Sequence, residues 1–209
     1  MIASETALTP TMPTTRFRFL GILPLSFFLA RVIEYVVIAK TPEQILWSCH
    51  ISNLMMAIGL FCAWPWLIRI SAFWQILGLP PWIVDMVMSG LITPISIFTH
   101  LGGCLVAFVA LWQVRAKLWS WVPSLIYFLI LQQITRLLTV PGAYTNVNVA
   151  HFAYEPLVAY FASQWLKDLV SVYWKYLLVN TAILAVGMLI IDYLLWKLFP
   201  LKKPKGKQV

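Results

Sequence analysis

Six long apolar runs dominate the chain: residues 17–39, 44–67, 70–88, 94–114, 119–140 and 172–199. A helix needs about 20 apolar residues to cross the hydrocarbon core of a bilayer. Each run approaches that length, so the pattern predicts an all-α, polytopic transmembrane bundle of six helices. Two helix starts carry their own signals. "TPEQ" at Thr41–Gln44 offers an N-cap threonine, a proline in the first helical position and a glutamine in the capping-box position. Thr93 and Pro94 repeat the cap and the proline. Pro80 and Pro81 fall inside the third run and predict a kink or break there. No internal repeat is visible. The organisation expected is a disordered polar tail over residues 1–16, a membrane domain over 17–199, and a basic tail over 200–209. Within the domain the one long connection is 141–171, whose "LVAYFASQWLKD" suits a helix lying flat on the membrane.

Composition strengthens this picture. The chain is 61% hydrophobic and 11% charged, against roughly 25% charged residues in soluble domains, and its mean hydropathy is +0.84. The expected setting is the cell membrane as a multi-pass protein, with membrane lipid as the natural partner. The formal charge of +8 then reads as a topology signal and not as a nucleic-acid footprint. With both termini cytoplasmic, that side collects Arg16, Arg18, Arg69, Arg115, Lys117, Lys197, Lys202, Lys203, Lys205 and Lys207. The opposite side collects only Lys40, Lys167 and Lys175. The start lacks the basic segment, short apolar core and cleavage site of a signal peptide. The three cysteines, Cys49, Cys62 and Cys104, all lie in apolar runs, which argues against a disulfide framework.

Polar residues inside the runs are the candidates for chemistry. At 1.5 Å per residue, Cys49 lies roughly 8 Å, Asn53 roughly 13 Å and His100 roughly 10 Å below the outer ends of their helices. Arg31, Glu34, Asp85, Gln132, Gln133 and Arg136 fall in the same outer half, and Asn148, His151 and Glu155 in the outer connection. Asp192 is the exception, toward the inner end of the last run. A charge at membrane depth costs about 2.5–3.5 kcal/mol on insertion scales and is normally paired or turned to a cavity. The expected arrangement is one polar pocket in the outer leaflet. Arg31 with Glu34, Cys49 with Asn53, and Gln132 with Arg136 have helical i,i+3 or i,i+4 spacing. His50 sits about 100° round the helix from Cys49 and is expected to be structural unless a metal engages it. Arg31–Glu34 and Asp85–Arg136 also suit purely structural ion pairs.

Such a pocket supports nucleophilic catalysis: Cys49 as nucleophile, His100 as base, and Asn53, Asp85 or Arg136 orienting the base or binding charge. The substrate expected at that depth is the acyl chain or glycerol ester of a phospholipid. The alternative is a non-enzymatic protein, either structural or holding metal or haem through Cys49, His50, His100, His151 and Glu155. No paired-cysteine or HxxxH spacing selects a cofactor.

Four segments also resemble a known group: "LWSCHISNL", "FWQILGLPPWIVD", "TPISIFTHLGG" and "NVNVAH". Their order over residues 44–151 is similar to that in the integral membrane family that includes bacterial YwaF. A eukaryotic branch of that family acts as a Cys-dependent acyltransferase on ether phospholipids. The resemblance implies a compact helical bundle, acyl transfer or lipid hydrolysis, and Cys49 and His100 as the matching Cys and His. Trp47 stands where many members carry a His two residues before the Cys. "CHISNL" and "NVNVAH" are closer to a bacterial membrane-protein group of uncharacterised chemistry.

Overall fold

The computed structural model describes residues 15–90, 93–142, 146–151 and 171–200. The N-terminal tail to residue 14, the flat-lying helix expected within 157–168, Glu155, and the basic tail beyond Pro200 lie outside the described residues. Within them every regular element is helical. In chain order these are α1 (Thr15–Phe19), α2 (Ile22–Val32), α3 (Ser48–Phe61), α4 (Pro65–Leu77), α5 (Leu79–Ser89), α6 (Pro94–Ile97), α7 (Gly103–Val114), α8 (Trp121–Leu138) and α9 (Tyr173–Leu198).

Five helical stretches are long and apolar enough to cross a membrane: Phe17–Ile38, Pro65–Val87, Pro94–Val114, Trp121–Leu138 and Tyr173–Leu198. The sixth, α3, is apolar but has only 14 residues. That is roughly 21 Å of helix against a hydrocarbon core of about 30 Å. The second run therefore departs from its expected bounds of 44–67. At its start, Thr41 makes no side-chain cap, and Pro42–Leu46 forms a 3₁₀ turn. Gln44 does not close a capping box; its Oε1 accepts from Trp47 Nε1 at 2.8 Å. Trp47 is extended (ψ 135°), so the α-helix begins only at Ser48. At its end the chain turns at Ala63, with φ 54°. Pro65 then opens α4 in the position where a missing N–H costs nothing. Leu67 accordingly belongs to the third crossing.

That crossing breaks where its prolines predict. α4 ends at Gly78, and Pro80 and Pro81 occupy the first turn of α5. The Thr93 cap also forms: its hydroxyl accepts from the Ser96 amide at 3.1 Å. The fourth crossing is interrupted by a π-helical turn, Phe98–Gly102, and α2 ends in another, Ile33–Ile38. Wide turns of this kind are rare and cluster at functional sites.

Short as it is, α3 is the axis of the bundle. His50, Ser52, Asn53, Met56, Ala57, Gly59 and Leu60 are all buried, between α2 on one side and α4 on the other. A Cβ on Gly59 would stand 2.9 Å from the Ile68 side chain, so glycine sets the close α3–α4 crossing. One half of the interior is apolar, with Met56, Leu60, Ile68, Phe73, Leu111, Phe128 and Met188 buried, and Trp74 stacked on Phe128 at 4.5 Å. Lipid tails are as apolar as these side chains, so close packing and not water exclusion holds this half together. At its end, Arg69 donates to the carbonyls of Val114 and Arg115, both at 2.8 Å. Ala116 N donates to Phe199 O at the same end. Arg69, Arg115, Lys117 and Lys197, each over a Trp or Tyr ring, thus gather where α7 and α9 end. The polar half lies at the other end.

Candidate functional site

The polar half is organised by the N-terminal turn of α3, which carries Ser48, Cys49 and His50. Cys49 Sγ lies against the backbone amides of Cys49 and His50 and within electrostatic range of Arg31. First-turn amides of a helix carry a partial positive charge, although that of His50 already donates to Trp47 O at 2.9 Å. The α4–α5 break brings Gly78 beside it: a Cβ there would be 3.9 Å from Cys49 Cβ.

Two imidazoles meet next to this turn. His50 Nδ1 lies 2.9 Å from Gln44 O, and His100 Nδ1 lies 2.9 Å from Ser96 O. A carbonyl only accepts, so each Nδ1 is the protonated nitrogen and each Nε2 presents a lone pair. The ring centroids stand 6.3 Å apart, edge to face. Trp82 stacks on His100 at 4.8 Å and donates Nε1 to Ser96 Oγ at 2.7 Å. Tyr35 packs against His50 at 5.5 Å. The sequence reading set His50 aside on helical angle. The structure brings it in, because α2 and the π turn approach α3 from that side.

Arg31 ties the cluster together and is almost fully buried. Its Nε donates to Thr99 Oγ1 at 3.1 Å, and its Nη1 donates to Glu34 and, at 3.3 Å, to Tyr35 Oη. The expected Arg31–Glu34 pair is present. Asn53 is fully buried; its Nδ2 donates to Cys49 O at 2.9 Å and to Thr99 O at 3.4 Å. Its Oδ1 accepts from Gln75 Nε2 at 3.3 Å. A Cβ on Gly103 would sit 3.0 Å from that Oδ1, so a glycine is needed for α7 to approach. Asn53 thus serves the backbone of Cys49 and does not orient His100. Beside it, Ser52 Oγ, Gln75 Oε1 and Tyr127 Oη are buried with no well-formed hydrogen bond among the described residues, although Ser52 and Tyr127 lie within reach of each other. Buried polar atoms are nearly always paired, and exceptions mark functional positions or bound water. Asp85 is exposed on α5 and acts electrostatically on Tyr35.

The remaining candidates form a second cluster. Asn148, in the left-handed region at φ 55°, accepts from Ser48 N at 2.8 Å and donates to Leu46 O at 2.6 Å and Thr135 Oγ1 at 3.0 Å. Gln132 donates to the carbonyls of Asn148 and Val149. Arg136 does not share that partner despite its spacing; its guanidinium lies 3.3 Å over the Tyr173 ring. Gln133 bonds Tyr173 Oη, and His151 Nε2 bonds Thr139 Oγ1 at 2.7 Å. Burial and the nearby Arg136 charge hold the His151 pKa below the ordinary imidazole value. These residues anchor the stretch 146–151 to α8 and α9, and Asn148 positions the start of α3.

No hydrogen bond joins Cys49 to His100 among the described residues. Nor do three His, Cys, Asp or Glu side chains converge there at metal-binding spacing. Tyr35, Gln75, Trp82, Ser96 and Tyr127 are not among the residues the sequence singles out. Trp82 and Gln75 lie in runs dominated by apolar residues, and only the helix break and the crossing angles turn them inward. No family model, curated protein or solved structure matches the chain.

Proposed function

We propose that this chain is a membrane-embedded thiol enzyme that transfers or hydrolyses the acyl group of a lipid, with Cys49 as nucleophile and His100 as base. The observation that carries the reading is the placement of Cys49 in the first turn of α3, next in the chain to His50, whose ring meets that of His100 edge to face at 6.3 Å. The thiol proton passes to His100 Nε2, and the sulfur bonds the acyl carbon. The ester C–O bond then breaks, and its oxygen takes the proton back from His100. Water or a second alcohol attacks the thioester carbon, releasing a fatty acid or a new ester and restoring the thiol. Arg31 and the first-turn amides supply positive potential for the charge that develops on oxygen.

The likeness to the YwaF-containing family is in keeping with this chemistry. The gathering of Arg69, Arg115, Lys117 and Lys197 at one end supports an orientation with both termini cytoplasmic and the thiol in the outer leaflet of the cell membrane. The test is covalent labelling in phospholipid nanodiscs with an acyl-bearing, thiol-directed lipid mimic. Labelling of Cys49 that disappears in Cys49→Ala supports the enzyme, and equal labelling of both proteins sinks it. The two Nε2 lone pairs also suit a haem or metal ligand in a non-enzymatic or structural protein. A Soret band lost in His50→Ala and His100→Ala decides for that alternative.

A further inference from the structure

The outer surface of the bundle carries a groove of about 290 Å³ between α2 and α6, lined by Ser26, Phe27, Ala30, Ile95, Phe98 and Thr99. This is near the lower end of the roughly 300–1,000 Å³ typical of ligand pockets. Its walls are built by two local features. The ring of Phe27 lies flush on the π turn, where a Cβ on Gly102 would come within 2.8 Å of its Cζ. The π turn itself sends Phe98 outward, 62% exposed, and Thr99 inward, 1% exposed. On the same helical stretches, Leu29, Ile33, Leu101 and Leu105 are exposed, and those stretches are long enough to cross a membrane. The medium facing this groove is therefore hydrocarbon.

Its floor is polar. Thr99 Oγ1 accepts from Arg31 Nε, Thr99 O accepts from Asn53, which also holds Cys49 O, and the next residue is His100. We infer that the groove is a lateral entry site for one acyl chain of a membrane lipid. The hydrocarbon lies along Phe27, Ala30 and Phe98, and the ester end lies at Thr99, with Arg31 behind it. The apolar wall matches the chain, the polar floor matches the ester, and lipid is the surrounding solvent. This names the substrate class for the proposed thiol chemistry and rests on that reading for its purpose, though not for its binding.

The test uses the full chain in phosphatidylcholine nanodiscs doped with a phospholipid bearing a diazirine in its acyl chain. Photoadducts are expected on peptides containing Phe27–Ala30 and Ile95–Phe98, well above those on other exposed apolar faces such as Leu137 and Leu178. Ala30→Trp, which fills the groove, is expected to lower those adducts roughly tenfold. The reaction of Cys49 with a small water-soluble maleimide, in a Cys62→Ser, Cys104→Ala background, is expected to persist. Cys49→Ala is expected to keep the adducts, so a failed enzyme reading leaves the groove result standing. If Ala30→Trp does not fold, Gly102→Ala serves, since its methyl drives Phe27 into the groove. Adducts spread evenly over every lipid-facing helix, unchanged by groove filling, or replaced by cross-links to a second copy would overturn the inference.

Discussion

Asn148 holds the start of α3 from 100 residues away. Its side-chain amide accepts from Ser48 N and donates to Leu46 O, pairing with the chain on both sides of Trp47 as a neighbouring peptide group would. This bond pair sets where the helix begins and therefore where the first-turn amides meet Cys49. Asn148→Ala leaves a buried amide and a buried carbonyl unmatched. It should lower stability by about 2–3 kcal/mol, seen as a lower melting temperature in detergent. Asn148→Asp keeps the acceptor but sets oxygen against Leu46 O, so it should not restore the parent melting temperature.

Arg31, buried, and Glu34, partly exposed, form a pair that either partner alone makes costly. Arg31→Met should destabilise by about 1–3 kcal/mol, because it leaves the partly buried Glu34 carboxylate and Thr99 without their shared partner. Adding Glu34→Gln should recover much of the loss. A double-mutant cycle by chemical denaturation measures it; strictly additive effects would show that the pair does not couple.

His100 and His50 should separate by role. With His100 as base, His100→Gln should slow Cys49 acylation by roughly 10²–10⁴-fold, the usual contribution of a positioned general base. His50→Gln should slow it far less. The rate of lipid-probe labelling distinguishes them, and a reversed order would assign the base to His50.

Asp192, the acidic outlier of the sequence, has a structural task. Its carboxylate accepts from Trp119 N at 2.7 Å, just before α8, where a negative charge also complements the helix N-terminus. Asp192→Ala should cost about 0.5–2 kcal/mol, the range for a lost N-cap. Thermal unfolding checks it, and labelling of Cys49 at the opposite end should not change.

His151 gives the fold a pH dependence. Its folded pKa is lowered by burial and by Arg136, so the unfolded chain takes up a proton first. The stabilising contribution is complete above about pH 6.5, the unfolded imidazole value. It is lost as pH falls below that value toward the lowered one. Melting temperature should therefore drop on acidification, and His151→Gln should flatten that part of the profile.

The linear pattern of the chain was enough for an all-helical membrane bundle, the break at Pro80–Pro81 and the Thr93 cap. Each depends on hydropathy or backbone chemistry over a few neighbouring residues. It also placed Arg31, Glu34, Cys49, Asn53 and His100 at one level, since helix rise converts position into depth. Rotation about the helix axis and the crossings between helices were beyond it. The π turns, the extended Trp47 and the glycine contacts at Gly59, Gly78 and Gly103 decided those. They turned His50 inward and joined Asn53 to Thr99, while the packing of α8 against α9 put Arg136 over the Tyr173 ring. Depth is a property of one helix and can be counted along it, whereas contacts between helices depend on their packing, and only that packing brings the rings of His50 and His100 within 6.3 Å.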